Sequence, residues 1–175
     1  LDRVRTLVDL ARALQVSQQN QVAIRALSEA ADLLDPFAAD PELRTRRAEI
    51  YSDLLQVHLQ LNQLEQAEQA CQRAMSALGD MENPHLRGTL HSRAALVALR
   101  RGDLQRAREE LGRASEIMTD VGDLPGLATI EGQFATVALR PPANVPEAIE
   151  HLEKAIGYAR QAGEWLVEAQ LHSQV

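Results

Sequence analysis

Aromatic side chains are scarce in this chain: one Trp, two Tyr and two Phe, 3% of 175 residues. A core of stacked rings is therefore excluded. Burial falls to Leu, Ala, Val and Ile; the small and straight-chain residues among these lose little entropy in helices. Cysteine is nearly absent. The single Cys71 excludes an intramolecular disulfide and a cysteine-rich zinc site, and it fits a reducing compartment such as the cytoplasm. Positive charge is in deficit, with 18 Lys and Arg against 25 Asp and Glu and a formal net charge of −7. A chain so balanced lacks, as a whole, the basic footprint of a nucleic-acid binder. No apolar run approaches the ~18 residues of a membrane span, and no secretory signal stands out. The chain begins with Leu and ends inside a helical pattern, as an excised piece of a longer protein would.

What is present is a repeat. Four segments align: Ala23 to Ala30, Ala67 to Ala74, Ala107 to Ala114 and Ala148 to Ala155. Each reads small, three spacers, larger apolar, two spacers, small, and successive copies begin 44, 40 and 41 residues apart. A second pattern precedes each copy: Leu7, Leu10, Ala11 and Leu14; Tyr51, Leu54, Leu55 and His58; His91, Ala94, Ala95 and Ala98; Gly132, Ala135, Thr136 and Leu139. Offsets of three, four and seven put these residues on one helical face. Each unit is thus predicted to be two amphipathic helices. Turn residues agree: Gln19-Asn20, Asn62-Gln63 and Gly102-Asp103 fall within units, and Asp35-Pro36, Gly79-Asp80 and Gly122-Asp123 fall between them. Asp40-Pro41 and Asn83-Pro84 place a capping side chain before a proline at the first helical position, and Pro146 opens the second helix of the fourth unit.

These positions carry a resemblance to the tetratricopeptide repeats, whose pattern places an aromatic, a Leu, a small residue and an aromatic on the first helix and Ala, an aromatic and Ala on the second. The small positions are kept at Ala11, Ala23, Ala30, Ala67, Ala74, Ala95, Ala107, Ala114, Ala148 and Ala155. The aromatic positions are mostly replaced, with Tyr51 the main survivor. The spacing exceeds the family's basic unit of about 34 residues and is similar to the longer repeats of large bacterial signal-transduction and transcription regulators. The resemblance implies an all-α, right-handed superhelical solenoid of antiparallel helix pairs. It implies repeats over residues 1–39, 40–82, 83–122 and 123–162, with a partial fifth over 163–175.

Catalytic constellations are lacking. No two of His58, His85, His91, His151 and His172 lie three or four residues apart, so no helical zinc pair is expected. His58 and His91 fall on packing positions, whereas His151 and His172 read as surface residues. Cys71 takes a large apolar position, as a buried thiol does. The carboxylates Glu109, Glu110, Glu147, Glu150 and Glu153 fall on faces read as solvated, and Glu150 and Lys154 are spaced for a helical ion pair. There is no phosphate-binding glycine loop, nucleophile elbow or zincin motif. Glycines mark turns, except Gly112, Gly132 and Gly157 inside helices. The chain reads as a non-enzyme without metal or cofactor.

Within the resemblance, a ligand sits in the groove lined by first helices. Carried over, the lining is Arg5, Val8, Arg12 and Gln15; Glu49, Ser52, Gln56 and Leu59; Thr89, Ser92, Leu96 and Leu99; and Ile130, Gln133, Val137 and Arg140. The residues singled out for partner binding are Arg5, Arg12, Ser52, Gln56, Ser92, Leu96, Leu99, Gln133, Val137 and Arg140. The Lys/Asn clamp with which some family members hold a terminal carboxylate is missing: Val8 and Arg12, then Ser52 and Gln56, stand in its place. The apolar members suit an amphipathic helix, or else pack against neighbouring helices. Arg100, Arg101 and Arg140 end first helices, where cations favour the negative dipole end.

The leading expectation is a scaffold that holds a peptide or helix of a partner protein, or of its own parent chain, with no direct contact to nucleic acid or membrane. Two alternatives stand beside it: a ligand- or peptide-sensing domain of a bacterial transcription regulator, and a non-catalytic accessory region of a larger enzyme. Trp165, Leu166 and Leu171 near the chain's end serve either as a cap of the stack or as a homodimer contact.

Overall fold

The computed structural model describes residues 1–163. Eight α-helices occur among them: α1 (Asp2–Val16), α2 (Asn20–Asp32), α3 (Pro41–Gln60), α4 (Leu64–Leu78), α5 (Pro84–Arg101), α6 (Leu104–Asp120), α7 (Leu124–Ala138) and α8 (Val145–Ala162). A short 3-10 turn covers Asp35–Phe37, and no β-strand is found among the described residues. The chain is therefore all-α and built of antiparallel helix pairs, α1 with α2, α3 with α4, α5 with α6 and α7 with α8, a tetratricopeptide-like arrangement. The partial fifth repeat, with Trp165, Leu166, Leu171 and His172, lies outside the described residues except for Gly163.

The small residues explain the pairing. Ala11, Ala23, Ala30, Ala67, Ala74, Ala95, Ala107, Ala114, Ala148 and Ala155 are all at most 2% exposed. A methyl at each of these places lets two backbones approach, and one hairpin alone would leave that stripe wet. Larger side chains fill the space between. In the first compact unit, Leu1–Asn83, Val8, Leu27, Leu34, Ile50, Leu55 and Leu78 are fully buried. In the second, from Pro84 onward, one cluster gathers Leu99, Leu111, Met118, Leu127, Ile130 and Val137, and another gathers Ala135, Leu152 and Ile156. Each fully buried Leu or Ile contributes roughly 1.5–3 kcal/mol of transfer free energy.

Caps set the starts of the helices. The Asp40 carboxylate accepts from the backbone N–H groups of Glu42 and Leu43 at 2.9 and 3.1 Å, with Pro41 at the first helical position. Asp103, Asp123 and Asn144 accept from Arg106, Gly126 and Glu147 at 3.0, 2.9 and 3.2 Å. Such caps contribute about 1 kcal/mol each. Gly126 makes one of them possible, since a Cβ there would stand 2.9 Å from the Asp123 carboxyl carbon. Gly126 and Gly88 thus lie inside helices rather than in turns. The turns within repeats are tight: Gln18, Asn62 and Gly102 take left-handed φ values of 58°, 55° and 81°. No described helix is long and apolar enough to cross a membrane.

Candidate functional site

First helices of successive repeats meet in each unit, by different means. In unit 1, α1 and α3 border a cavity of about 590 Å³, lined by Asp2, Val4, Arg5, Glu42, Leu43, Arg46 and Glu49 among others. Arg5 and Glu49, expected on the groove face, both line it. Its rim carries charges of both signs, with Arg46 bonded to Glu49 at 2.9 Å. In unit 2, the Ser92 hydroxyl on α5 donates to the Gln133 side-chain carbonyl on α7 at 3.0 Å. Two residues expected to face a ligand are thus brought together across adjacent first helices.

The remaining expected residues divide by exposure. Arg12, Gln56 and Arg140 are exposed, and the Arg12 guanidinium lies 4.0 Å from Asp9. Leu96 is half-buried. Ser52 is 3% exposed, and Leu99 and Val137 are 6% and 1% exposed, the last two within one core cluster. Leu59 and Ile130 are buried as well. The apolar positions of the expected groove are thus occupied with packing. Among the expected groove positions, those left accessible are polar and charged, with Leu96 the partly accessible apolar exception.

Three histidines of unit 2 are bonded to carboxylates. His91 Nδ1 on α5 donates to Glu110 on α6 at 2.6 Å, with both side chains under 20% exposed. The hydrogen bond from His91 holds the Glu110 carboxyl below its ordinary range against the opposing effect of burial, and the charges of His91, Arg113 and Arg106 add to the lowering. His151 Nδ1 on α8 donates to Glu131 on α7 at 2.6 Å, and its ring stacks on Phe134 with centroids 4.9 Å apart. His85 Nδ1 lies 3.2 Å from Asp123 at the surface. Arg108 on α6 reaches Glu147 on α8 at 3.0 Å.

Two expectations are corrected here. His151 is not a surface residue: it is 18% exposed and wedged between Glu131 and Phe134. Glu110 does not lie on a solvated face: it is 13% exposed and bonded to His91. His58 and His91, placed on packing positions by the repeat, are half-buried and hydrogen-bonded, His58 to Gln63 at 2.8 Å. Lys154 donates to Glu150 at 2.6 Å, the helical pair that the spacing predicts. It holds the Glu150 carboxyl low and the Lys154 ammonium high. Cys71 is buried. Glu131, 8% exposed, was missed, yet a signal existed. It sits at helical spacing among Leu127, Ala128, Ala135 and Ala138, a lone charge on an apolar stripe that needs a buried partner. No group of three or more His, Cys, Asp or Glu able to hold a metal is found among the described residues.

No family model and no curated protein matches the chain. Among solved structures, its fold is similar to that of aspartyl phosphate phosphatase F from Bacillus subtilis, with a TM-score of 0.85 at 16% sequence identity. The similarity covers 98% of this chain and 44% of that one, so the chain spans less than half the length of the solved structure whose helical fold it shares.

Proposed function

We propose that the chain is a protein-interaction module that holds a polar, charged segment of a partner against its first helices. The observation that supports this reading best is the cavity between α1 and α3, where Arg5, Arg46, Glu42 and Glu49 present both signs of charge around a partly apolar floor. Such a rim favours a segment of complementary charge pattern over the apolar helix that Leu99 and Val137 suggested, because those two side chains are buried. Affinity purification with the wild-type chain, followed by Arg5→Glu, Glu49→Lys and Leu96→Glu, tests it. The charge reversals are expected to weaken capture of the same partner by at least about tenfold, the scale of a charged contact. Undiminished capture across all three variants overturns the assignment.

Catalysis is not part of the proposed role. The fold neighbour is named as a phosphatase, but 16% identity over part of its length carries the fold and no reaction. In this chain two enclosed carboxylates, Glu110 and Glu131, are bound to histidines that tie the α5–α6 and α7–α8 hairpins. Incubation with an aspartyl-phosphorylated protein is expected to leave its dephosphorylation rate unchanged; acceleration would reassign the chain as an enzyme.

A second reading, a sensor of a small molecule or peptide, draws on the size of the same cavity, which is within the ~300–1,000 Å³ of ligand pockets. Thermal-shift screening separates the two, since a bound metabolite raises the midpoint by mass action. A third, an accessory region of a larger enzyme, draws on the 44% coverage of the fold neighbour. The single free Cys71 supports a cytoplasmic setting.

A further inference from the structure

Unit 1 carries a second recess, lined by residues other than those of the α1–α3 cavity. It lies between α3 and α4, has a volume of about 300 Å³ and is lined by Arg47, Gln69, Gln72, Arg73 and Ser76. Gln69, Gln72, Arg73 and Ser76 recur at helical spacing, so α4 turns one continuous row of donors toward it. Both guanidiniums converge on the ring of Tyr51, with their central carbons 5.9 and 5.8 Å from its centroid. In a chain of net charge −7, the recess is lined by two cations, two amides and a hydroxyl, and by no carboxylate.

The arginines are unequally committed. Arg47 spends Nη1 on Asp35 at 3.0 Å, which fixes the side chain. Its Nε is buried without a hydrogen-bond partner. Nη2 is the guanidinium nitrogen left over for an oxyanion in the recess. Arg73 is exposed and forms no ion pair among the described residues; its one described contact is the Tyr51 ring. Arg47 keeps Asp35 as its counter-ion, whereas Arg73 has none among the described residues. An anion in the recess would give Arg73 the charge partner it lacks.

We propose that this recess binds a phosphoryl group. A carboxylate would use two oxygens and one charge, whereas two guanidiniums, two amides and a hydroxyl match the greater acceptor number and the double charge of a phosphate. The recess is larger than a bare ion needs, which leaves room for whatever carries the group. The site does not depend on the first-helix cavity or on the partner proposed for it.

Calorimetric titration of the whole chain with inorganic phosphate and with phosphoserine, at constant ionic strength, tests the site. Saturable binding of at least one is expected. Arg73→Gln should weaken it about tenfold or more, as loss of a charge-assisted contact does. Arg73→Lys should weaken it less. Arg160→Gln on α8, which removes the same charge elsewhere, should leave it intact. Tighter binding of phosphoserine would assign the source to a modified side chain, and tighter binding of inorganic phosphate to a free ion; both uphold the site. Equal affinities for wild type and Arg73→Gln, or an Arg160→Gln loss as large as that of Arg73→Gln, overturn it, as does the absence of saturable binding by either probe. Circular dichroism on each variant establishes that a loss of binding is not a loss of fold.

Discussion

The two units use the same plan, two helix hairpins each, but close their hairpins with different chemistry. In unit 1 the first hairpin is tied by Arg3 on α1 to Glu29 on α2 at the surface, and the second by His58 to the neutral amide of Gln63. In unit 2 the corresponding ties are His91–Glu110 and Glu131–His151, each 2.6 Å long and largely enclosed. One architecture thus tolerates a solvated ion pair, a neutral hydrogen bond at the turn or an enclosed imidazole–carboxylate pair between helices. The alanine stripes set the fold; the ties decide how each hairpin responds to mutation and pH.

The largest difference should come from removing one tie in each unit. His151→Ala takes away the donor to Glu131 and the stack on Phe134, and leaves a carboxylate that is 8% exposed without its partner. A loss of about 2–3 kcal/mol is expected, the scale of a charged hydrogen bond with an orphaned acceptor. Arg3→Ala should cost no more than about 0.5 kcal/mol, because Arg3 and Glu29 are 71% and 44% exposed and water replaces the contact. Urea denaturation of the two variants measures both. Comparable losses would remove the distinction between the units.

Acid should separate them next. The Glu110 carboxyl is held below its ordinary 4.5, first by the hydrogen bond from His91. A carboxylate with a depressed pKa in the folded state contributes stability that is complete above its unfolded pKa and is lost as pH falls through the folded one. The α5–α6 hairpin should therefore weaken below about pH 4.5 through this group, whereas His58–Gln63 in unit 1 contains no carboxylate to protonate. Glu110→Gln gives the third repeat a neutral His–Gln tie and should flatten its acid limb. Gln63→Glu does the reverse and should carry acid sensitivity into α3–α4. Residue-resolved NMR across an acid titration reads both exchanges, and an Arg3→Ala background should alter neither.

These ties were the least legible part of the sequence. The helices were read from Ala and Leu at offsets of three, four and seven, a signal that repeats within each element and needs no partner. The cap at Asp40 was legible for the same local reason, and Asp103 and Asp123, expected only as turn residues, cap the helices that follow. His91 and Glu110 are 19 residues apart, and Glu131 and His151 are 20. No period links such pairs, since their meeting depends on how far one helix turns before the next returns. Glu131 alone gave a local warning, as a charge on a buried stripe. The expected ligand face was half legible. Arg5 and Glu49 line a cavity and Ser92 meets Gln133. Leu99 and Val137, however, have the same spacing whether they face a groove or a neighbouring helix. In the sequence Arg47 and Arg73 are each an ordinary cation of a helix; only their shared approach to Tyr51 distinguishes them.

The smallest expected effect concerns the turns, where the units again differ. The repeat turns of unit 1 place Gln18 and Asn62 at positive φ, and the third repeat places Gly102 there, at 81°. A side chain in that region crowds the following carbonyl at a cost of roughly 1–2 kcal/mol, which Asn offsets in part through local hydrogen bonding. No atom lies within 4 Å of a Cβ built on Gly102, so Gly102→Ala would meet a backbone penalty and nothing else. A destabilisation of about 1 kcal/mol is expected. Gln18→Gly runs in the opposite direction, but glycine's greater freedom in the unfolded chain cancels much of the relief, so a gain of only a few tenths of a kcal/mol, roughly, should remain. Thermal denaturation of the two variants side by side tests the sign as well as the size. If Gly102→Ala were neutral while Gln18→Gly stabilised, the turns would be under different control from their φ values, and the kinship between the repeats would rest on the alanine stripes alone.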